Sequence, residues 1–240
     1  MLNVTGLTAQ IGKIPVLRGV DLTVNGGDTV ALLGRNGVGK TSTLRAILGL
    51  LRRTGGSVVY DGRPLNDVAP HKLASMGIGY VPQGRGIFPL LTVEENLLLT
   101  VKGAPNRNML EEMFVRFPRI QERLRQPAGT PSGGEQQMLA IARCLMLEPK
   151  LIILDEPTEG IMPKLVSQIR HEIANIAKRG ISVLLVEQNL RTAMRLASRV
   201  YLMERGRIVH EGTSAGLQTN PEIVHRYLGV SLKNVKGVIQ

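Results

Sequence analysis

"DTVALLGRNGVGKTSTLRAILGLL", residues 28–51, decides how this chain folds. Residues 28–34 read as a buried strand that stops at glycine, and residues 40–51 carry apolar positions at helical spacing. Between them stand Gly34, Arg35, Asn36, Gly37, Val38, Gly39, Lys40 and Thr41, followed by Ser42. Their spacing is G-x-x-x-x-G-K-[ST], in the strand-to-helix context that a phosphate-binding loop requires. Glycines let successive backbone N–H groups turn inward around a phosphate, and the helix N-terminus adds its positive dipole end. Lys40 supplies a mobile positive charge for the β- and γ-phosphates of a nucleotide such as ATP. The Thr41 hydroxyl is placed to ligate Mg²⁺.

Working outward, "KLIILDEP" (150–157) and "ISVLLVEQ" (181–188) are continuous apolar runs of the kind found in the middle of a parallel sheet. Each ends in acids or amides, at the strand ends where open α/β sheets hold ligands. Asp155 is placed to hold Mg²⁺ through water, and Glu156 to orient or deprotonate an attacking water. "MGIGYVPQ" (76–83) is a shorter strand ended by Pro82, with Gln83 just beyond.

Residues 16–24 and 56–62 cluster β-branched residues between glycine turns and read as antiparallel strands. Residues 88–148 change character: 92–99, 107–117 and 132–147 read as helices, punctuated by Pro105, Pro118, Pro127 and Pro131. The expected organisation is an α/β core over 1–87 and 149–240, with a mixed sheet and an antiparallel β subdomain. A helical subdomain over 88–148 is inserted in it. From about residue 205 a hairpin, a short helix after Pro221 and a loosely held tail over 231–240 complete the chain.

Bulk properties narrow the function. A length of 240 residues fits one α/β domain with an insertion. Cys144 is the single cysteine, which excludes an internal disulfide and a cysteine-built zinc cluster. No apolar run approaches the ~18–20 residues of a membrane span, and "MLNVTGLTAQ" lacks the features of a signal peptide. The net charge of +11 suits polyanions, but the basic residues are scattered, aromatics make up 3% and tryptophan is absent. The stretch "RFPRIQERLR" (116–125) reads as a solvated helix face, and specific nucleic-acid binding is not expected. The histidines at 71, 171, 210 and 225 show no metal-ligand spacing.

A second glycine loop lies in "TPSGGEQQMLAIARCL" (130–145). Ser132, Gly133 and Gly134 open a helix, and Glu135 completes a capping box, so in isolation this is an ordinary helix start. The order of the whole set is more specific: phosphate loop, strand and Gln83, helical insertion, Ser-Gly-Gly-Glu loop, "LDEP", and a strand ending at Gln188. In that order the chain resembles the ATP-binding cassette family of transporter ATPases over essentially its whole length. "LLGRNGVGKTSTLRAILGL", "GIGYVPQGRGIFPLLTVEENL", "GGEQQMLAIARCLM", "LDEPTEGI" and "LLVEQN" look like the ATPases of branched-chain amino acid and amide uptake systems. "YVPQGR", "GRNGVGK" and "TEGI" are nearest to the urea and short-chain amide branch.

The resemblance implies roles. Residues 34–42 would cradle ATP, with Thr41, Gln83 and Asp155 on Mg²⁺ and with Glu156 and Gln188 catalytic. Ser132, Gly133, Gly134 and Glu135 would form a signature that contacts ATP held by a second cassette. Two cassettes would then meet head to tail, a heterodimer in the cell and a homodimer in isolation. They would drive separate transmembrane permease subunits at the cytoplasmic face of the membrane, served indirectly by a solute-binding protein outside. Phe88, Leu90 and Leu91 fall in the segment that would receive the permease.

Four positions depart from the family pattern. Ile11 replaces an aromatic that stacks on adenine, so an aliphatic contact is expected there. Gln188 replaces a frequent histidine and cannot titrate near neutral pH. Met162 stands where an aspartate is usual, and Pro131 where leucine is common. Rival readings are a cassette ATPase acting on nucleic acid or ribosomes, a small-molecule kinase and a regulatory ATPase. The first normally carries two cassettes or a long insertion. The second would leave Ser132–Glu135 unexplained.

Overall fold

The computed structural model describes residues 1–101 and 103–229; the tail expected over 231–240 lies outside them. Two sheets organise the chain. The smaller is antiparallel, with β1 (Leu2–Ile11) between β2 (Ile14–Val24) and β4 (Arg53–Tyr60), and the short β5 (Arg63–Pro64) beyond. Its inner face buries Leu2, Val4, Leu7, Leu22 and Val58 against the helix that follows the phosphate loop. The antiparallel reading of 16–24 and 56–62 holds, but β1 carries the sheet's centre and its sequence had given no strand expectation.

The larger sheet has the order β10-β9-β3-β8-β7-β6. Within it β3 (Thr29–Leu33) pairs in parallel with both β8 (Ser182–Glu187) and β9 (Arg199–Glu204). Parallel pairing continues through β7 (Leu151–Asp155) to β6 (Ile78–Val81), and only β10 (Arg207–Thr213) is antiparallel. Every residue of β3, β7 and β8 is buried, as unbroken apolar runs require of strands covered on both faces. The C-terminal ends of β3, β6, β7 and β8 therefore open on one edge, which is where polar side chains collect.

Helix α1 (Lys40–Ile47) starts straight from Gly39, whose φ of 112° no side-chain-bearing residue adopts without strain. It is shorter than the pattern over 40–51 suggested, because Gly49 turns left-handed at φ 71° and ends the helical run. Between β6 and β7 come α2 (Val93–Leu98), α3 (Arg107–Arg116), α4 (Pro118–Glu122) and α5 (Gly133–Leu145). Residues 107–116 form the expected helix with Phe117 as its C-cap, whereas 116–125 is broken at Pro118, which separates α3 from α4. Arg116 is not on a solvated face: its guanidinium is 3.1 Å from Glu172, and both side chains are largely buried. Arg119 does face solvent.

Glu172 belongs to α6 (Pro163–Lys178), which covers the sheet beside α5. Helix α5 lies against β6 so closely that a Cβ on Gly79 would come 2.4 Å from the Cys144 sulfur. Glycine is what lets helix and strand approach there. Helix α7 (Leu190–Leu196) follows β8, and after β10 come α8 (Ser214–Thr219) and α9 (Pro221–Leu228). The hairpin and the helix after Pro221 match expectation; α8 is additional. No helix among the described residues is long and apolar enough to cross a membrane.

Candidate functional site

The loop after β3 wraps a cleft of about 560 Å³ lined by residues 36–42, Gln83 and Glu156. Gly34 and Arg35 do not line it. Their carbonyl oxygens instead accept hydrogen bonds from Lys40 Nζ at 3.0 and 3.1 Å. Gly34 is also sterically required, since a Cβ there would lie 2.6 Å from the Met203 carbonyl oxygen. The third partner of Lys40 is Glu156, at 3.0 Å, with both side chains buried. Glu156 follows the last residue of β7, donates its N–H to the Val186 carbonyl, and then turns left-handed at φ 49°. A non-glycine residue held in that region stores roughly 1–3 kcal/mol of strain, a cost that concentrates at functional positions.

Asp155 sits one residue earlier, at the buried end of β7. Thr41 Oγ1 donates to its Oδ1 at 3.2 Å, while Oδ2 is buried with no hydrogen-bond partner. Burial pushes its pKa up to about 6, and Glu156 and Glu159 add to the rise while Thr41 and Lys40 oppose it. A carboxylate oxygen without a partner beside a threonine hydroxyl is a hard oxygen donor set, and it fits Mg²⁺. Gln83 reaches the same place from β6: its amide nitrogen donates to Glu159 at 2.7 Å and approaches Glu156 at 3.5 Å.

At the end of β8, Glu187 is buried and accepts from the Thr158 hydroxyl at 2.7 Å and from the Asn189 backbone at 3.2 Å. Burial raises its pKa despite those bonds. Gln188 is exposed immediately beyond and does not line the cleft. Ile11 is likewise exposed, at the tip of the β1–β2 hairpin opposite Ile14. The hairpin residues lining the cleft are Ile14, Pro15, Val16 and Arg18, and Arg205 and Gly206 close it from the β9–β10 turn. Sequence reading missed all of these. Gly206 carried a usable signal, because only glycine tolerates the 2.4 Å approach to the Val16 carbonyl.

The second glycine loop lines a different cleft, of about 930 Å³, between α5 and α6. Ser132 caps α5 and Glu135 reaches back to the Ser132 N–H at 2.8 Å, completing the box. Burial pushes Glu135 up, but bonds from Ser132 and the charge of Arg123 outweigh it and hold the carboxyl below its usual range. Gly134 is in contact with Leu165, where a Cβ would meet Cδ1 at 2.4 Å, and Gly133 lies under the Arg85 guanidinium. Arg85 bonds Gln136 at 2.8 Å, and Gln136 bonds the carbonyls of Gly129 and Pro131. The segment after Gln83 is thereby tied to the start of α5, a link that the sequence does not announce.

A phosphate loop at the switch point of a parallel sheet, with a lysine, an acid pair and a threonine converging, defines a P-loop nucleoside triphosphatase. The ABC transporter family profile matches residues 17–159. The chain is 42% identical to the high-affinity branched-chain amino acid transport ATP-binding protein BraG of Pseudomonas aeruginosa, covering 95% of this chain and all of BraG. It is 36% identical to the lipopolysaccharide export system ATP-binding protein LptB of Haemophilus influenzae, over 97% of this chain and 99% of that protein. Among solved structures, the ADP conformation of the cassette MJ1267 superposes with a TM-score of 0.81 at 28% identity, over 96% and 99% of the two chains. The dimeric post-hydrolysis state of the cassette MJ0796, bound to ADP and Pi, gives 0.79 at 27% identity, over 89% and 99%. This chain belongs to the ABC transporter family and is an ATP-binding, ATP-hydrolysing subunit.

Proposed function

We propose that the chain energises an importer of branched-chain amino acids or of urea and short-chain amides. It would work as a head-to-tail pair of cassettes on separate permease subunits at the cytoplasmic membrane face. The similarity to BraG supports the amino-acid reading, and the "YVPQGR" and "TEGI" sequences favour the amide branch. The second cassette would be a different chain in the cell, with an external solute-binding protein feeding the permease. A second reading, export of a lipopolysaccharide-like substrate, draws on the LptB relative.

One observation carries the shared-site model. Within one chain the phosphate loop and the Ser132 loop line separate clefts, so the helix start at Ser132 shares no cleft with the phosphate loop of its own chain. A second cassette supplies the phosphate it would meet. In this reading residues 36–42 hold ATP, with Gly34 and Arg35 supporting Lys40 through their carbonyls, and Thr41, Asp155 and Gln83 would hold Mg²⁺ to neutralise charge on the phosphates. Entry of a triphosphate gives Lys40 a stronger anion than Glu156. The released carboxylate then accepts a proton from the attacking water. Residues 88–148 would act as one helical subdomain that carries the signature and docks the permease through Phe88, Leu90 and Leu91. Of these, Leu90 is 94% exposed and Phe88 about half exposed.

The test is ATPase rate per chain against protein concentration, with Ser132→Arg alongside. A rate that rises with concentration and is lost in the variant supports the shared site. A rate independent of both would reduce the second loop to a helix cap.

A further inference from the structure

We propose that Glu159 is a positioning residue that fixes which end of the Gln83 amide faces the nucleotide cleft, and so sets the affinity of the site for Mg²⁺. This rests on the reading of Gln83 as a metal ligand.

A glutamine side chain offers one acceptor and two donor hydrogens on opposite sides of the same carbon, and only the oxygen can bind a cation. Gln83 follows β6 on an exposed loop, where nothing in its own backbone selects an orientation. Glu159 makes the selection. An ionised carboxylate only accepts, so the 2.7 Å bond from Gln83 Nε2 to Glu159 Oε2 commits the nitrogen to the acid. Glu156 Oε2 lies 3.5 Å from the same nitrogen, too far to hold the amide by itself. The carbonyl oxygen is thereby left uncommitted to either acid and available as a hard ligand, on a residue that lines the cleft.

Glu159 can do this because its own position is fixed. Its N–H donates to the Glu156 carbonyl at 3.1 Å, closing a turn directly after the catalytic-acid position. Its neighbour Thr158 is buried and anchored to Glu187 at the end of β8. The turn is therefore tied to two adjacent strands, and the carboxylate projects from it toward Gln83. Outer partners that orient metal ligands typically change metal affinity by ~10–100-fold when removed.

The experiment uses thermal stabilisation of the purified chain by a non-hydrolysable ATP analogue, titrated with Mg²⁺ and repeated in EDTA. The chains compared are the parent, Glu159→Gln, Glu159→Ala and Gln83→Ala. Glu159 is exposed, so its variants should fold. The Mg²⁺ midpoint should rise at least roughly tenfold in Glu159→Gln, whose amide accepts Gln83 in either orientation, with stabilisation in EDTA unchanged. Glu159→Ala should shift it similarly. If Gln83→Ala raises the midpoint while both Glu159 variants leave it alone, the orienting role is wrong and the Gln83 reading survives. If Gln83→Ala has no effect either, the metal-ligand reading itself fails. Loss of stabilisation in EDTA by the Glu159 variants would also overturn the proposal, since it would mark a general structural role.

Discussion

Lys40 and Glu156 form a buried ion pair, 3.0 Å from Nζ to Oε1, with 4% and 6% of their side chains exposed. The base of the phosphate loop and the acid after β7 are thus held against each other, and a nucleotide bound as proposed would compete for the lysine. Removing one partner of such a pair leaves an uncompensated buried charge, which typically costs ~3–5 kcal/mol. Lys40→Met is expected to lose nucleotide binding and to unfold at lower urea, by about 3 kcal/mol. Glu156→Gln keeps a polar partner for Lys40 and should lose less stability. Its turnover should fall by at least ~100-fold with ATP binding retained, the usual yield of a general base. Parent-like hydrolysis in Glu156→Gln would remove Glu156 from the chemistry.

Asp155 makes the site pH-sensitive. Its folded pKa is raised to about 6 by burial, with Glu156 and Glu159 adding to it and Thr41 and Lys40 opposing it. The folded chain then binds more protons than the unfolded one between the ordinary aspartate value and about 6. Stability of the metal-free chain should therefore fall as pH rises through that window and level off above it. Asp155→Asn should lose that share of the fall and keep only the part owed to Glu187, whose pKa burial also raises. If Asp155 holds Mg²⁺ as proposed, protons compete for the same oxygen, and the Mg²⁺ requirement for nucleotide binding should rise about tenfold per pH unit below about 6. Thr41→Val removes a bond to the ionised form and should move that onset to higher pH. Denaturant unfolding across that pH range would read the two stability effects and isothermal titration the two Mg²⁺ effects, and an unchanged onset in Thr41→Val would contradict the Thr41–Asp155 bond.

Gly133 and Gly134, the glycines of the proposed signature, differ in what they protect. A Cβ on Gly134 would meet Leu165 Cδ1 at 2.4 Å and Leu165 Cβ at 2.8 Å, on the neighbouring α6. A Cβ on Gly133 would meet mainly the end of the Arg85 guanidinium, which can swing away. Gly134→Ala should cost about 1–3 kcal/mol in denaturant unfolding, the usual cost of overpacking, and Leu165→Ala should recover part of it. Gly133→Ala should cost well under that while still impairing a shared ATP site. Equal costs for the two would mean that the approach of α5 to α6 is not what Gly134 serves.

Much of this was legible in residue order. The phosphate loop, the buried runs ending in Asp155 and Glu187, and the capping box at Ser132 each carry a local chemical pattern that survives without tertiary context. What stayed hidden depends on contacts between distant segments. β1 alternates weakly because Gly6 interrupts it, and its partners lie in β2 and β4. Ile11 occupies the position where an aromatic was expected, yet it is Ile14, across the hairpin, that lines the cleft. Arg116 sits in a basic stretch that looks solvated until α6 brings Glu172 to it. The pairing of Gln83 with Glu159 spans 76 positions, and neither residue advertises it.

Asn96 is the strongest case of such a hidden contact, and it makes the last prediction. It is fully buried on α2, in a stretch that reads as a plain amphipathic helix. Its side chain accepts from the Phe88 N–H at 2.9 Å and donates to the carbonyls of Phe88 and Thr92 at 2.9 and 3.0 Å. Arg143 on α5 adds a bond to the Gly86 carbonyl at 2.7 Å and lies 5.9 Å from the Phe88 ring. The loop proposed to meet the permease is thereby fastened to the helix that carries the signature. Asn96→Leu takes the acceptor from the Phe88 N–H and one of two donors from the Phe88 carbonyl, which keeps the Leu91 N–H, at a cost of about 1 kcal/mol. Amide hydrogen exchange should quicken at residues 86–92 and in the last turn of α5, where Arg143 sits, while β3 and α1 remain as protected as in the parent. ATPase activity of the isolated chain should be close to the parent's, because no group in the phosphate cleft is touched. Its stimulation by a reconstituted permease should fall. Faster exchange confined to 86–92, with α5 unaffected, would show that the loop and the signature helix are not coupled through Asn96.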